Sequence, residues 1–196
     1  MNIGIDIDNT LTDIEKEMFE AANKYTIEIT PDFKFKEIQK YDGFTNMAKF
    51  YSEIFGWNDE NIDYFFRNLR LKVVDNAKPR KNAKEVVKKL KQKGHNIYIV
   101  TARTNIYDDT PYERAKRWLD NNEIIYNKLI INAQDKAKIC KELKIDLFID
   151  DQLNNCFNLA NNGIHTIRLT NSKQVYNDFV NIDNWEDIYE YIINLK

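Results

Sequence analysis

The sequence predicts an α/β fold: a Rossmann-like parallel sheet of about five strands with helices on both faces, plus a small helical insertion after the first strand. Three observations predict it. Ile3, Ile5 and Ile7 alternate with Gly4 and Asp6, which is the period of a strand. From Pro79 onward, short β-branched runs alternate with amphipathic helical patterns, the order that gives parallel strands joined by crossover helices. Between them, residues 14–77 are rich in aromatics at helical spacing and contain no convincing strand. The expected division is therefore an α/β core, residues 1–13 and 78–196, carrying a helical insertion, residues 14–77.

Each element has its own reason. Ile14, Met18, Ala21, Ala22 and Tyr25 recur three and four apart and make one face of a helix. Thr30-Pro31 and Asp42-Gly43 are turn signals. After Pro79 comes a basic amphipathic helix with Val86, Val87 and Leu90 inward, ended by Gly94 as a left-handed cap. Asn96–Thr101 is a strand. Thr110-Pro111-Tyr112-Glu113 reads as a helix start, with a threonine cap, proline in the first turn and glutamate three residues on. Ala115, Trp118 and Leu119 face inward there. Lys128–Ile131 is a strand, and Asp135 opens a helix with Ile139, Cys140 and Leu143 buried. Asp146–Asp150 is a strand. Leu153, Cys156, Phe157 and Ala160 line a helix closed by Gly163. Ile164–Leu169 is the last expected strand, and Trp185, Ile188, Tyr191, Ile192 and Leu195 mark a final helix.

The 196 residues suit one domain with an insertion, and 29 Lys and Arg against 31 Asp and Glu leave a net charge of −2. That balance argues against a nucleic-acid polymer as partner, since such proteins are normally basic. A small anionic substrate needs only a local positive site. No run approaches the length of a membrane span and no signal-peptide pattern is visible, so a cytoplasmic protein without a membrane partner is expected. Cys140 and Cys156 have no metal-ligand spacing and read as buried thiols.

Parallel sheets bind ligands at the carboxyl ends of their strands. Those ends carry Asp6, Asp8 and Asn9, then Thr101, Ala102 and Arg103, then Asp150 and Asp151, and a helix start adds Lys136. Buried carboxylates cost several kcal/mol unless compensated, so their convergence asks for a cation, a proton or both. Carboxylate oxygens suit Mg²⁺, which commonly bridges to phosphate. A lysine, a hydroxyl and backbone N–H groups at the same mouth suit phosphate oxygens. Together they read as phosphoryl transfer. Taken singly, Thr101 could be an ordinary strand-end residue, Lys136 a solvated helix residue, and Asp150-Asp151 a helix cap.

The ordered set Asp6-x-Asp8-x-Thr10, Thr101, Lys136 and Asp150-Asp151 resembles the four motifs of the haloacid dehalogenase superfamily, across the whole α/β part. The resemblance implies that Asp6 is a nucleophile forming an aspartyl-phosphate and that Asp8 protonates the leaving oxygen and later activates water. It implies Mg²⁺ held by Asp6, the Asp8 carbonyl and Asp150, with Asp151 in support. It also implies that Asn9, Thr101, Ala102 and Lys136 hold the phosphate. An aspartate at position 8 fits phosphatases and phosphomutases; the dehalogenase branch generally lacks it. The insertion takes the place of the superfamily's cap. Its size, Thr101-Ala102-Arg103 and Asn184-Trp185 look like the 5′(3′)-deoxyribonucleotidase-like branch. The substrate expected on that resemblance is a small phosphorylated metabolite, foremost a nucleoside monophosphate. A sugar- or metabolite phosphatase, a phosphomutase and a non-catalytic relative stay open, as does a homodimer. Phe19, Phe44 and Tyr64 are candidates for stacking on a base, against the alternative that they only fill the core of the insertion. Arg103 either reaches phosphate or makes a salt bridge, the latter preferred. His95 and His165 have no ligand-like partner.

Overall fold

The computed structural model describes residues 1–195. Six parallel strands form one sheet: β1 (Asn2–Ile5), β2 (Asn96–Val100), β3 (Lys128–Ile130), β4 (Leu147–Asp150), β5 (His165–Leu169) and β6 (Val180–Ile182). Their order is β3-β2-β1-β4-β5-β6, so the winding reverses between β1 and β4. This reversal opens a crevice beyond the strands' carboxyl ends. The expected sheet of about five strands gains one. β6 is only Val180-Asn181-Ile182, half-buried throughout, and three residues broken by an asparagine carry no readable period.

The helices that cover the sheet are α5 (Ala83–Gln92), α6 (Pro111–Asn121), α7 (Lys136–Leu143), α8 (Leu153–Asn161) and α9 (Trp185–Ile193). Ile3, Ile5, Ile97 and Ile99 pack with Leu90, Leu119, Trp185 and Ile188 on one face. Val100, Phe148, Cys140 and Leu159 pack on the other. Each fully buried Ile or Leu contributes about 1.5–3 kcal/mol, which makes these two layers the main support of the site above them. Gly4 alternates with the isoleucines toward Phe148; a Cβ there would lie 2.3 Å from the Phe148 ring. Both cysteines are buried and free as expected, and burial pushes the Cys140 thiol up to about 12.

Helix ends follow the sequence with one exception. Gly94 takes φ +84° and the His95 N–H donates back to Leu90 O at 3.2 Å, closing α5. Asp135 Oδ1 accepts from Lys138 N at the start of α7. The Thr110 hydroxyl does not cap α6. Asp108 accepts from the Thr110 N–H instead, and it also holds Arg114 at 2.7 Å. A charged oxygen already held by arginine satisfies this corner in place of the hydroxyl.

The stretch between β1 and α5 holds α1 (Glu15–Ile29), α2 (Met47–Phe55), α3 (Asp59–Tyr64) and α4 (Arg70–Asn76), with a wide π-helical turn, Phe65–Leu69, joining the last two. No strand occurs in it among the described residues. It has its own apolar cluster of Met18, Phe19, Tyr25, Tyr51, Phe55, Trp57, Phe65 and Phe66. It touches the α/β part on two sides of the crevice. Phe66 packs on Tyr107 with ring centres 5.0 Å apart, and Arg67 Nη2 donates to Ile106 O at 2.8 Å. Opposite them, Lys40 Nζ donates to Thr170 Oγ1 and the Asn154 N–H to Asp42 O. No helix among the described residues is long and apolar enough to cross a membrane.

Candidate active site

The site begins where β1 stops. The Asp6 N–H still donates to Ile149 O of β4 at 3.1 Å, which fixes the carboxylate over the middle of the sheet. The chain then coils through Ile7–Leu11 in one wide turn, closed by the Thr12 N–H and hydroxyl on Ile7 O at 3.0 and 3.2 Å. Asn9 takes the left-handed conformation, φ +58°, which asparagine tolerates better than most residues. Its N–H donates to Thr12 Oγ1 and its Oδ1 accepts from the Ile14 N–H. Trp185 Nε1 donates to Thr10 O from below, and Arg80 Nε donates to the Asn9 and Thr12 carbonyls. These bonds satisfy the Asn9 and Thr12 N–H groups and the Ile7, Asn9, Thr10 and Thr12 carbonyls without a ligand.

Four separate stretches converge above it. Asp6, Asp8, Asn9, Thr101, Ala102, Lys136, Asp150 and Asp151, every residue expected to act, line one crevice of about 430 Å³. Lys136 is 3% exposed and its ammonium bridges Asp6 Oδ1 at 2.8 Å and Asp150 Oδ2 at 2.6 Å. Carboxylate oxygens of Asp6, Asp150 and Asp151 all lie within 4.8 Å of one another. Asp150 also accepts from the Gln152 N–H and from Asn155 Nδ2, and the Thr10 hydroxyl donates to Asp151. Thr101 is pinned between β3 and the next loop, its N–H on Ile130 O and its carbonyl taking the Ala133 N–H.

The charges settle unevenly. Burial pushes the Asp6 carboxyl up to about 7; Lys136 pulls against this, while Asp150 and Asp8 add to it. Burial, then Asp150 and Asp6, raise Asp151 well above the usual carboxylate range. Lys136 loses hydration, but Asp150 and Asp6 hold its pKa above the ordinary lysine value. Asp8 differs: burial works to raise it, yet the Arg103 guanidinium outweighs burial and holds it below the usual range. Three crowded carboxyls, of which Asp6 and Asp151 resist ionisation, are an all-oxygen donor set suited to a hard divalent cation.

Some of these roles match the sequence expectations and others do not. Asp151 belongs to the carboxylate cluster with Asp6 and Asp150, while the carboxylate of Asp8 is turned to Arg103. Arg103 makes the expected salt bridge, with Asp8. Of the stacking candidates, Phe19 is buried in the insertion's own core at 1% exposure, Tyr64 lies on Tyr25 and Phe44 lies on Phe157, all away from the crevice wall. Tyr41, Phe66 and Tyr107 are the aromatic residues that do line it. Arg70 and Gln134 line it too, and nothing in their spacing marked them. His95 meets only the terminal amine and His165 only the Tyr191 hydroxyl.

A reversed parallel sheet with an aspartate pair at the end of its central strand, a buried lysine and a second acidic pair defines a haloacid dehalogenase-like phosphatase. A Streptococcus pneumoniae hydrolase of the haloacid dehalogenase-like family superposes with a TM-score of 0.66 at 15% identity, covering 97% of each chain. A predicted phosphatase from Clostridium acetobutylicum does so with a TM-score of 0.70 at 15% identity, covering 99% of each chain. The chain belongs to the family described as 5′ nucleotidase, deoxy (Pyrimidine), cytosolic type C protein, whose model matches residues 1–196. A nucleotidase of Clostridium acetobutylicum is 28% identical over 200 residues, covering 100% of this chain and 95% of its own.

Proposed function

We propose that this phosphatase is a Mg²⁺-dependent phosphomonoesterase acting on nucleoside monophosphates through an aspartyl-phosphate on Asp6. The observation that carries it is Lys136 joining Asp6 to Asp150 beneath a crevice where Asp151 completes the carboxylate group. Family membership supports the nucleotide. The family's description as cytosolic supports a cytoplasmic placement in this reading.

In this reading a phosphate enters between Lys136, the Thr101 hydroxyl, the Ala102 N–H and the Asn9 side-chain amide. Mg²⁺ held by Asp6, Asp150 and the Asp8 carbonyl, with Asp151 in support, supplies charge neutralisation at the phosphoryl oxygens. Asp6 Oδ attacks phosphorus and the bond to the leaving oxygen breaks. Asp8 gives that oxygen its proton. Water then attacks the aspartyl-phosphate, its proton passes to Asp8, and Asp6 and inorganic phosphate are released. Asp8 is paired with Arg103 in the free protein. The first step therefore needs this pair to loosen when an anion competes for the guanidinium. The helical insertion, residues 14–77, acts as the cap that shuts the leaving group away from bulk water, the role that screens such intermediates.

The test is phosphate release with Mg²⁺ from a panel of nucleoside monophosphates and sugar phosphates, beside Asp6→Asn. Turnover of nucleotides that vanishes in the variant is expected. Wild-type turnover by Asp6→Asn removes the nucleophile, and a preference for sugar phosphates removes the nucleotidase reading.

A further inference from the structure

The crevice contains three cations, and two of them already have anions. Lys136 holds Asp6 and Asp150, and Arg103 holds Asp8. The Arg70 side chain has no carboxylate within ion-pair distance and no hydrogen-bond partner among the described residues, although it lines the same wall. It comes from the helical insertion, at the first position of α4, straight after the π-helical turn Phe65–Leu69. Such wide turns re-aim the residues that follow and recur at functional positions. The Arg70 guanidinium lies 5.9 Å from the centre of the Phe66 ring, a face that supports its plane while leaving its N–H groups free. A second donor in the crevice is also unspent: Arg103 Nη1 is buried and unpartnered, and Arg103 is 5% exposed.

Arg70 shares the crevice wall with Asp8, Arg103, Phe66 and Tyr107. It belongs to the helical insertion, which the proposed reaction sets over the leaving group, whereas the Lys136 cradle of the phosphate under attack belongs to the α/β part. Burial pulls the Arg70 pKa below the ordinary arginine value; Asp8 works against this and Arg103, a like charge, adds to it. Two guanidinium groups facing one partly enclosed space are unfavourable until an anion enters between them. A neutral carbonyl would take a hydrogen bond without removing that cost; an anion removes both.

We propose that Arg70, with Arg103 Nη1, forms a second anion site that recognises a negatively charged group on the leaving moiety, so that preferred substrates carry two anionic groups. A nucleoside 3′,5′-bisphosphate has this chemistry. The proposal rests on the phosphomonoesterase reading, since it divides the crevice into a reacting side and a leaving-group side. Arg70 is a specificity-determining residue in this scheme.

The test compares a nucleoside 3′,5′-bisphosphate with the matching 5′-monophosphate in the full chain with Mg²⁺. The wild type is expected to show a higher kcat/KM for the bisphosphate, and Arg70→Met to lower the ratio of the two values about ten- to hundred-fold, the range for a hydrogen bond between charged groups. Arg70→Lys recovers part of the ratio. Lys72→Met, an exposed charge on the same helix, leaves it unchanged and separates a local contact from the overall field. Calorimetric binding of both nucleotides to Asp6→Asn, with and without Arg70→Met, reads the same ratio without turnover. Equal ratios in wild type and Arg70→Met overturn the proposal, as does equal binding in the two Asp6→Asn backgrounds. If the ratio shifts in binding while no nucleotide is hydrolysed, the anion site stands and the phosphomonoesterase reading fails.

Discussion

Arg103 grips both oxygens of Asp8, Nε at 2.9 Å and Nη2 at 2.7 Å, and so ties the end of β2 to the loop after β1. The Arg103 side chain is 3% exposed and that of Asp8 26%. Removing the arginine leaves a mostly enclosed carboxylate without its counter-charge. Arg103→Leu is expected to destabilise the protein by about 2–4 kcal/mol, the lower end reflecting the water still reaching Asp8. The shift in urea midpoint at pH 7 measures it. A midpoint within experimental error of wild type would show that the pair contributes nothing.

Stability should depend on pH with opposite signs at two neighbouring carboxyls. Asp6 has a folded pKa of about 7 against an ordinary 3.8. A raised carboxyl keeps its proton longer when folded, so its contribution is fully present below about pH 4 and is lost as pH rises toward 7. Asp8, held low, contributes above the ordinary carboxylate pKa and loses that contribution only in stronger acid. Metal-free Asp6→Asn is thus expected to be more stable than wild type at pH 7, by about 2–4 kcal/mol, with the gap closing near pH 4. Thermal melts of the chelator-treated pair across that range check it. A variant less stable than wild type at pH 7 contradicts the assignment of a costly Asp6 charge.

Divalent-cation binding should release protons. A cation among Asp6, Asp150 and Asp151 needs the Asp6 and Asp151 carboxylates ionised, and burial and neighbouring charge make both hold their protons longer than usual. Mg²⁺ is expected to raise the melting temperature, a chelator to reverse this, and the apparent affinity to weaken from pH 8 to pH 6. Asp150→Asn should abolish the shift. A Mg²⁺ effect unchanged in that variant would place the ion elsewhere.

The aromatic wall makes a sharper claim about the substrate. Tyr107 lines the crevice, and Tyr64 and Phe44 do not. Tyr107→Ala should raise KM for a nucleotide roughly five- to hundred-fold, the range of one lost base-stacking contact. Tyr64→Ala and Phe44→Ala should leave KM near wild type. Saturation kinetics on the three variants decide between the wall and the surface.

Gly4 tests how tightly the sheet carries the site. A methyl at this position would run into the Phe148 ring, which is itself fully buried. Gly4→Ala is expected to cost about 1–3 kcal/mol, read from equilibrium unfolding, because a packed core yields only by shifting side chains off their preferred rotamers. Full stability in the variant would mean that the Phe148 ring can move aside at little cost.

Much of the site was legible because it is written at strand ends, where a change from apolar to acidic residues is abrupt. Asp6, Asp150 and Lys136 follow from the alternation of strands and helices alone, once the sheet is taken as parallel. The wall was not legible for a physical reason. The insertion is so dense in aromatics that helical spacing fits many of them equally, and only packing separates Phe19 in its core from Phe66 at the crevice. Arg70 escaped because its meaning lies in the lack of a partner rather than in spacing. β6 was too short to show a period, and the Thr110 cap was displaced by Asp108, two residues earlier in the chain.

The pairing of β1 with β4 has a consequence for how the protein is made. Asn2 bonds to Asp146, 144 positions further along, so β1 has no neighbour on that side until β4 has been synthesised. Its other neighbour β2 arrives earlier, and Lys136 and Asp150 both come after β2. A nascent chain therefore carries an incomplete site until α7 and β4 have both been made, and isoleucine-rich β1 is meanwhile a segment for chaperones to shield.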